Sequence, residues 1–285
     1  MEIRIRPAIQ CICRGSSLAS KPTSSSLHFP LSSSSSHFRP PTFYHQWRNQ
    51  LTTARSLADG NLATEPATSH GSLALKKKAT DICADLKGAS IFIVGMKSAM
   101  KTSVGKLIAD ELRYYYFDSD NVVEEAAGED SSGKSFKERD EDGFQKSETE
   151  VLKQLSSLGR LVVNAGNGAV QSMTNLALLR HGITIWIDVP LDIIAKESVR
   201  DDEQSTMSTP DTFSEALDEL TLLYEENKGG YATADTTISL QTVATKLAYD
   251  EYEQVTAEDM ALEVLSQIEK LTRVKKLMEE AGRPF

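Results

Sequence analysis

The sequence predicts an α/β fold in which a five-stranded parallel sheet is flanked by helices. From about residue 87 onward, short apolar runs rich in β-branched residues alternate with longer segments of helical periodicity, which is typical of βαβ units. The first apolar run leads through a glycine-containing loop into a helical segment, as in a phosphate-binding loop. The first fifth of the chain lacks this alternation, so the predicted domain comprises residues 87–285.

Five apolar runs have the length and composition of buried strands. They cover residues 91–94, 114–117, 161–163, 183–188 and 236–240. The predicted helices carry apolar residues three and four positions apart, which gives each helix one buried face. They cover residues 102–112, 143–158, 176–180, 191–199 and 257–280, and a further helix begins at Pro210. Residues 124–143 are polar and acidic and show little apolar periodicity.

Residues 1–58 have the composition of an organelle transit peptide. They are rich in serine and contain seven basic residues but a single acid, Glu2, and they lack the continuous apolar segment of a secretory signal. The alternative is a disordered extension that the mature protein retains. Residues 59–86 are rich in small residues and then basic, and they are predicted to be a linker. We therefore expect a mature protein within a plastid or a mitochondrion.

The charge balance argues against several classes of partner. The residues after position 58 contain 24 basic and 40 acidic side chains, a net charge of −16. Such a surface repels nucleic acid and anionic lipid, and no apolar run approaches the roughly 20 residues that span a membrane. Of the three cysteines, Cys83 alone lies after the predicted transit peptide. Histidines are too few there to suggest a metal cluster or a Ser-His-Asp set.

The loop after the first predicted strand is an incomplete phosphate-binding loop. Gly95, Lys101 and Thr102 fit the pattern G-x-x-x-x-G-K-[ST], whereas Met100 stands at the second glycine position. In a complete loop the backbone amides hold phosphates, the lysine reaches the outer phosphates, and the hydroxyl binds Mg²⁺. The alternative assignment for Lys101 and Thr102 is an exposed lysine and a helix N-cap. Weak binding of Mg-ATP is compatible with the retained residues.

Residues 128–135 match the same pattern more closely, but their context is wrong. No apolar strand precedes Gly128, and Glu129 and Asp130 would face the phosphates. Each carboxylate within about 4 Å would oppose binding by about 1–4 kcal/mol. We therefore interpret this segment as a solvated loop.

Five blocks together resemble the shikimate kinases, and plant plastid enzymes of this family most of all. They are residues 95–105, 117–120, 144–148, 161–170 and 231–235. The resemblance extends over nearly everything from residue 86 to residue 271. It implies a P-loop kinase fold of the nucleoside-monophosphate-kinase type. Enzymes of this family transfer a phosphoryl group from Mg-ATP to shikimate.

Two acids lie where the resemblance implies catalytic carboxylates. Asp118 would help to hold hydrated Mg²⁺, and Asp120 would receive the proton of the substrate hydroxyl. As residues two apart at a strand end, they are expected to emerge on the same face. The alternative for Asp120 is that it caps the helix that follows.

Other positions depart from the pattern of the family. Glycines are expected at Ser98 and Met100, and a left-handed backbone at Met100 would cost about 1–2 kcal/mol. The arginines that hold the substrate carboxylate are replaced by Gln145 and Asn227, and a triple glycine is interrupted by Asn167. The arginine-containing lid motif has no counterpart between residues 201 and 213.

These departures lead to three functional hypotheses. The first is a non-catalytic plastid protein that lacks shikimate phosphorylation and supports chloroplast biogenesis through a binding or regulatory role. Its site residues would be vestigial, it would need no cofactor or metal, and its partner would be an unknown protein of the stroma. The second is an ATP-dependent kinase of another, less anionic small molecule. The third is a structural subunit of a stromal complex.

Overall fold

The computed structural model describes residues 69–128, 134–202 and 210–282. Its five strands form one parallel sheet in the order β2-β3-β1-β4-β5. They are β1 Ile91–Val94, β2 Tyr115–Asp118, β3 Leu161–Asn164, β4 Ile183–Asp188 and β5 Thr236–Ser239. All four residues of β1 are buried, because β1 is the central strand and helices cover both faces. The predicted five-stranded parallel sheet is therefore confirmed.

Helices connect and cover the strands. They are α1 Ser69–Leu86, α2 Ala99–Leu112, α3 Ser119–Ala127, α4 Phe136–Arg139, α5 Glu141–Ser156, α6 Met173–Leu179, α7 Leu191–Asp202, α8 Pro210–Tyr231, α9 Leu240–Leu247 and α10 Ala257–Ala281. The polar segment without predicted elements, residues 124–143, contains α4 and the last four residues of α3. α9, which directly follows β5, was not predicted either. Among the described helices, none is long and apolar enough to cross a membrane.

α1 corrects the predicted start of the domain. Its Leu75, Ala79, Ile82 and Leu86 are each at most 2% exposed, and the helix packs along α10, with Lys78 paired to Glu269. The prediction of a linker over residues 59–86 is therefore wrong from Ser69 onward. The buried residues of α1 recur every three to four positions, as in an amphipathic helix. Three consecutive lysines at residues 76–78 separate the first two of them, so the periodicity was not recognised in the sequence. The predicted transit peptide and residues 59–68 lie outside the described residues.

Candidate functional site

The phosphate-binding loop leaves β1 at a position that requires glycine. Gly95 has φ +128°, and a Cβ there would lie 2.3 Å from the carbonyl oxygen of Ile187 in β4. The chain turns at this point because it must pass directly over the neighbouring strand. Gly95 is thus needed for the turn itself, whether or not a ligand binds.

Beyond the turn, the loop ends as an ordinary capped helix. The hydroxyl of Ser98 accepts a hydrogen bond from the Lys101 backbone amide at 3.2 Å, so Ser98 is the N-cap of α2. Met100 is the second residue of this helix and packs against the core. The predicted left-handed strain at Met100 is wrong, because α2 begins at Ala99 instead of Thr102. The alternative of an N-cap at Thr102 is wrong for the same reason, and the alternative of an exposed Lys101 is wrong because that residue is buried.

Lys101 is turned into the protein. Its ammonium donates to the backbone oxygens of Gly95, at 2.8 Å, and Ala165, at 2.9 Å, and the residue is 2% exposed. Burial lowers the pKa of Lys101 to about 8, although Asp120 and Asp118 oppose this effect. The side chain therefore links the loops that follow β1 and β3.

Glu197, which no sequence pattern singled out, lies at the start of α2. Its Oε2 accepts a hydrogen bond of 2.9 Å from the backbone amide of Ala99, the first residue of the helix. A carboxylate thus sits at a helix N-terminus, where a phosphate-binding loop receives its anion. Two donors that a complete phosphate-binding loop offers to a nucleotide, the Ala99 amide and the Lys101 ammonium, are thus engaged within the protein.

Asp118 takes the capping role that was considered for Asp120. One carboxylate oxygen of Asp118 accepts from the Asn121 amide at 3.2 Å and so caps α3. The other accepts from the Asn164 side chain at 2.8 Å, and the same amide nitrogen lies 3.5 Å from the Thr102 hydroxyl. The prediction of Asp120 as the N-cap is therefore wrong. Asn164 was not predicted as a site residue, because it simply ends a strand in the sequence.

Two carboxylates, the half-buried Asp120 and the buried Glu148, approach the loop after β3. A Cβ on Gly166 would lie 1.8 Å from Asp120, and one on Gly168 would lie 2.5 Å from Glu148. Burial raises the pKa of both acids, that of Glu148 to about 7, and Lys137 opposes the shift in each case. A side chain at either flanking glycine of the interrupted triple glycine would therefore have to displace one of these carboxylates.

Asn227 and Gln145, which stand where the resemblance implies arginines, differ in burial. Asn227 is 1% exposed and donates to the Leu223 carbonyl of its own helix at 2.9 Å, while its Oδ1 has no hydrogen-bond partner among the described residues. Gln145 is exposed on α5. Asn167 accepts a hydrogen bond of 3.3 Å from the hydroxyl of Tyr231. Neither amide position supplies a positive charge.

Lys137 is a cation near these carboxylates that sequence reasoning missed. It is exposed on the short helix α4, its Nζ lies 5.5 Å from the centroid of the Phe144 ring, and its charge opposes the rise in the pKa of Asp120 and of Glu148. One flexible lysine does not reproduce the two-pronged geometry by which an arginine holds a carboxylate. In the sequence, Lys137 is one charge within a long polar segment and carries no distinguishing signal.

An open cavity of about 280 Å³ lies between α5, α6 and the helical turn Asn167–Val170. Its lining includes Gln145, Glu148, Gly168 and Asn175. The structure thus brings one expected substrate-side position, Gln145, to the same cavity as Glu148. The described residues contain no group of three or more His, Cys, Asp or Glu side chains that could hold a metal ion.

The second phosphate-loop pattern begins at a helix end. Gly128 follows α3 with φ +77°, and its amide bonds to the Glu124 carbonyl. A helix, where a phosphate-binding loop requires a strand, therefore precedes the pattern. Residues 129–133 of this segment lie outside the described residues.

Comparisons with known proteins agree on one family. The family model described as shikimate kinase matches residues 97–269. A protein of Arabidopsis thaliana named "Probable inactive shikimate kinase like 1, chloroplastic" is 57% identical over 83% of each chain. "Shikimate kinase 3, chloroplastic" of rice, Oryza sativa subsp. japonica, is 38% identical over 72% of this chain and 73% of its own. Among solved structures, a shikimate kinase from Acinetobacter baumannii in complex with shikimate is similar with a TM-score of 0.50 and 25% identity, covering 67% of this chain and 97% of that one.

Proposed function

The chain belongs to the shikimate kinase family, and from this premise we propose that it is a non-catalytic member that does not phosphorylate shikimate. Its role is then binding or regulation within the plastid stroma, through a protein partner, in support of chloroplast biogenesis. The plastid location is supported by the names of the Arabidopsis and rice relatives, both of which are chloroplastic, and by the transit-like composition of residues 1–58.

The observation that carries this proposal is that neutral amides stand at both positions where the resemblance implies a substrate-binding arginine, with Lys146 as the cation that lines the cavity beside Gln145. Asn227 is buried and bonded to its own helix, and Gln145 is a neutral side chain at the cavity. Each lost charged hydrogen bond weakens binding of a carboxylate by about 1.5–3 kcal/mol. Two losses correspond to roughly 10²–10⁴-fold weaker binding of an anion.

Calorimetry with shikimate tests the substrate side directly. We expect no heat of binding by the full chain at millimolar shikimate. Gln145→Arg, which changes an exposed residue, should restore part of the affinity, and the pair Gln145→Arg with Asn227→Arg should restore more. Micromolar binding by the unchanged chain would contradict the proposal. Glu150→Gln, on the same helix as Gln145, is the control for nonspecific charge effects.

A second candidate function, phosphorylation of a less anionic small molecule, is favoured by one observation. Asp120 is retained and lies against the Gly166 backbone, where a substrate hydroxyl could reach it. A complementation experiment in plants that lack the protein separates the two functions. Asp120→Asn, which keeps the shape of the side chain, should rescue greening as well as the unchanged chain does if the role is non-catalytic. Loss of rescue by a stably accumulated variant favours the kinase.

A further inference from the structure

We propose that Glu197 acts as an internal substitute for a phosphate group and thereby excludes nucleotide from the loop at residues 95–102. The carboxylate and the phosphates would compete for the same backbone donor at the start of α2. This inference deepens the proposed function and rests on it, because a loop that holds its own anion has no bound phosphoryl group to transfer.

The contact is long-range in sequence and specific in geometry. Glu197 lies on α7 and bonds to the Ala99 amide, 98 residues earlier, at 2.9 Å. α2 contains 14 residues, and the first amides of such a helix carry partial positive charge and attract anions. Glu197 therefore differs from a local N-cap residue in two ways. It connects a separate helix, α7, to the loop, and it places a negative charge beside the loop.

Two further donors near the loop, both of Lys101, are engaged as well. The Lys101 amide bonds to the Ser98 hydroxyl, and the Lys101 ammonium bonds to the carbonyls of Gly95 and Ala165. A polyphosphate would have to displace the Glu197 contact and then remain beside its charge. The acceptors that occupy the Lys101 donors are neutral oxygens. The Glu197 carboxylate differs from them because its charge also repels a phosphate group.

Neutralising this one residue should therefore make nucleotide binding measurable. We expect Glu197→Gln to lower the dissociation constant for Mg-ATP by at least about tenfold, which corresponds to about 1.4 kcal/mol. Glutamine retains the size of the side chain and the oxygen that accepts from Ala99. Asp192→Asn removes the same charge from an exposed position on α7 and should leave the affinity unchanged.

The experiment is calorimetry of the full chain with Mg-ATP, first unmodified and then with Glu197→Gln or Asp192→Asn. The same pair of substitutions is repeated with Met100→Gly present, which restores the glycine of the loop pattern. Tighter binding with Glu197→Gln in either background supports the proposal. Equal affinities with Glu197→Gln and Asp192→Asn, or no binding by any of these proteins, would overturn it.

A second readout does not depend on affinity. The amide ¹⁵N and ¹H shifts of Ala99 should change in Glu197→Gln, because a neutral oxygen replaces the charged acceptor of its hydrogen bond, and they should stay the same in Asp192→Asn. An Ala99 amide shift that is equal in the unmodified chain and in Glu197→Gln would also overturn the proposal. Failure here is distinct from failure of the proposed function, which would appear as turnover of shikimate by the unmodified chain.

Discussion

Glu148 should make the stability of this protein fall as pH rises from about 4.5 to 7. The side chain is 1% exposed, and burial raises its pKa from 4.5 to about 7. Between these values the folded chain retains a proton that the unfolded chain has released, so stability is greatest below pH 4.5 and declines until the folded pKa is passed. A shift of about 2.5 units corresponds to about 3 kcal/mol.

Glu148→Gln should remove this dependence, because glutamine resembles the protonated acid and cannot ionise. Urea unfolding at pH 5 and pH 8 gives the free energy of unfolding in each condition. We expect the variant to be about 2–3 kcal/mol more stable than the unchanged chain at pH 8 and about as stable at pH 5. Glu150→Gln is the control, since that side chain is 59% exposed on the same helix. Parallel pH curves for the Glu148 variant and the unchanged chain would refute this reasoning.

Three further predictions concern packing and the loop. Leu75→Ala should lower the stability by about 2–5 kcal/mol. Leu73→Ala, at a position 64% exposed on the same helix, should lower it very little. Equal melting temperatures of the two variants would contradict the packing of α1. Gly95→Ala should lower the stability by about 2–5 kcal/mol, because Gly95 has a positive φ and an added Cβ would lie 2.3 Å from the Ile187 carbonyl oxygen. An unchanged denaturation midpoint would contradict this geometry of the turn after β1. Met100→Gly should lower stability by about 1 kcal/mol, since glycine is a poor helix former; a gain in chemical denaturation would instead indicate strain at Met100.

The sheet could be predicted from the sequence because each strand is a short, continuous apolar run bounded by polar or glycine residues. β1 and β4 were placed at the residues where they occur, Ile91–Val94 and Ile183–Asp188. α1 was missed because Lys76–Lys78 and several small residues make its sequence look polar. Its apolar face is recognisable only from the structure, in which it packs on α10. α4 was missed, and the extent of α3 was not predicted, for another reason. Both helices are polar on most sides, so their stability depends on caps such as Asp118 and Ser135.

The candidate site was harder to predict than the fold. The substitutions at Gln145 and Asn227 were visible from the resemblance to the family, but the contact between Glu197 and Ala99 joins residues 98 positions apart. Such contacts leave no spacing pattern in a single sequence. The supposed strain at Met100 was wrong because the start of a helix depends on its cap, Ser98, as well as on its propensity.

The most direct test of the account is shikimate-dependent release of ADP by the purified full chain in a coupled assay with Mg-ATP. The account predicts no release above the background without shikimate, even at millimolar concentrations of both compounds. Turnover near the 1–100 s⁻¹ that is typical of kinases would contradict it.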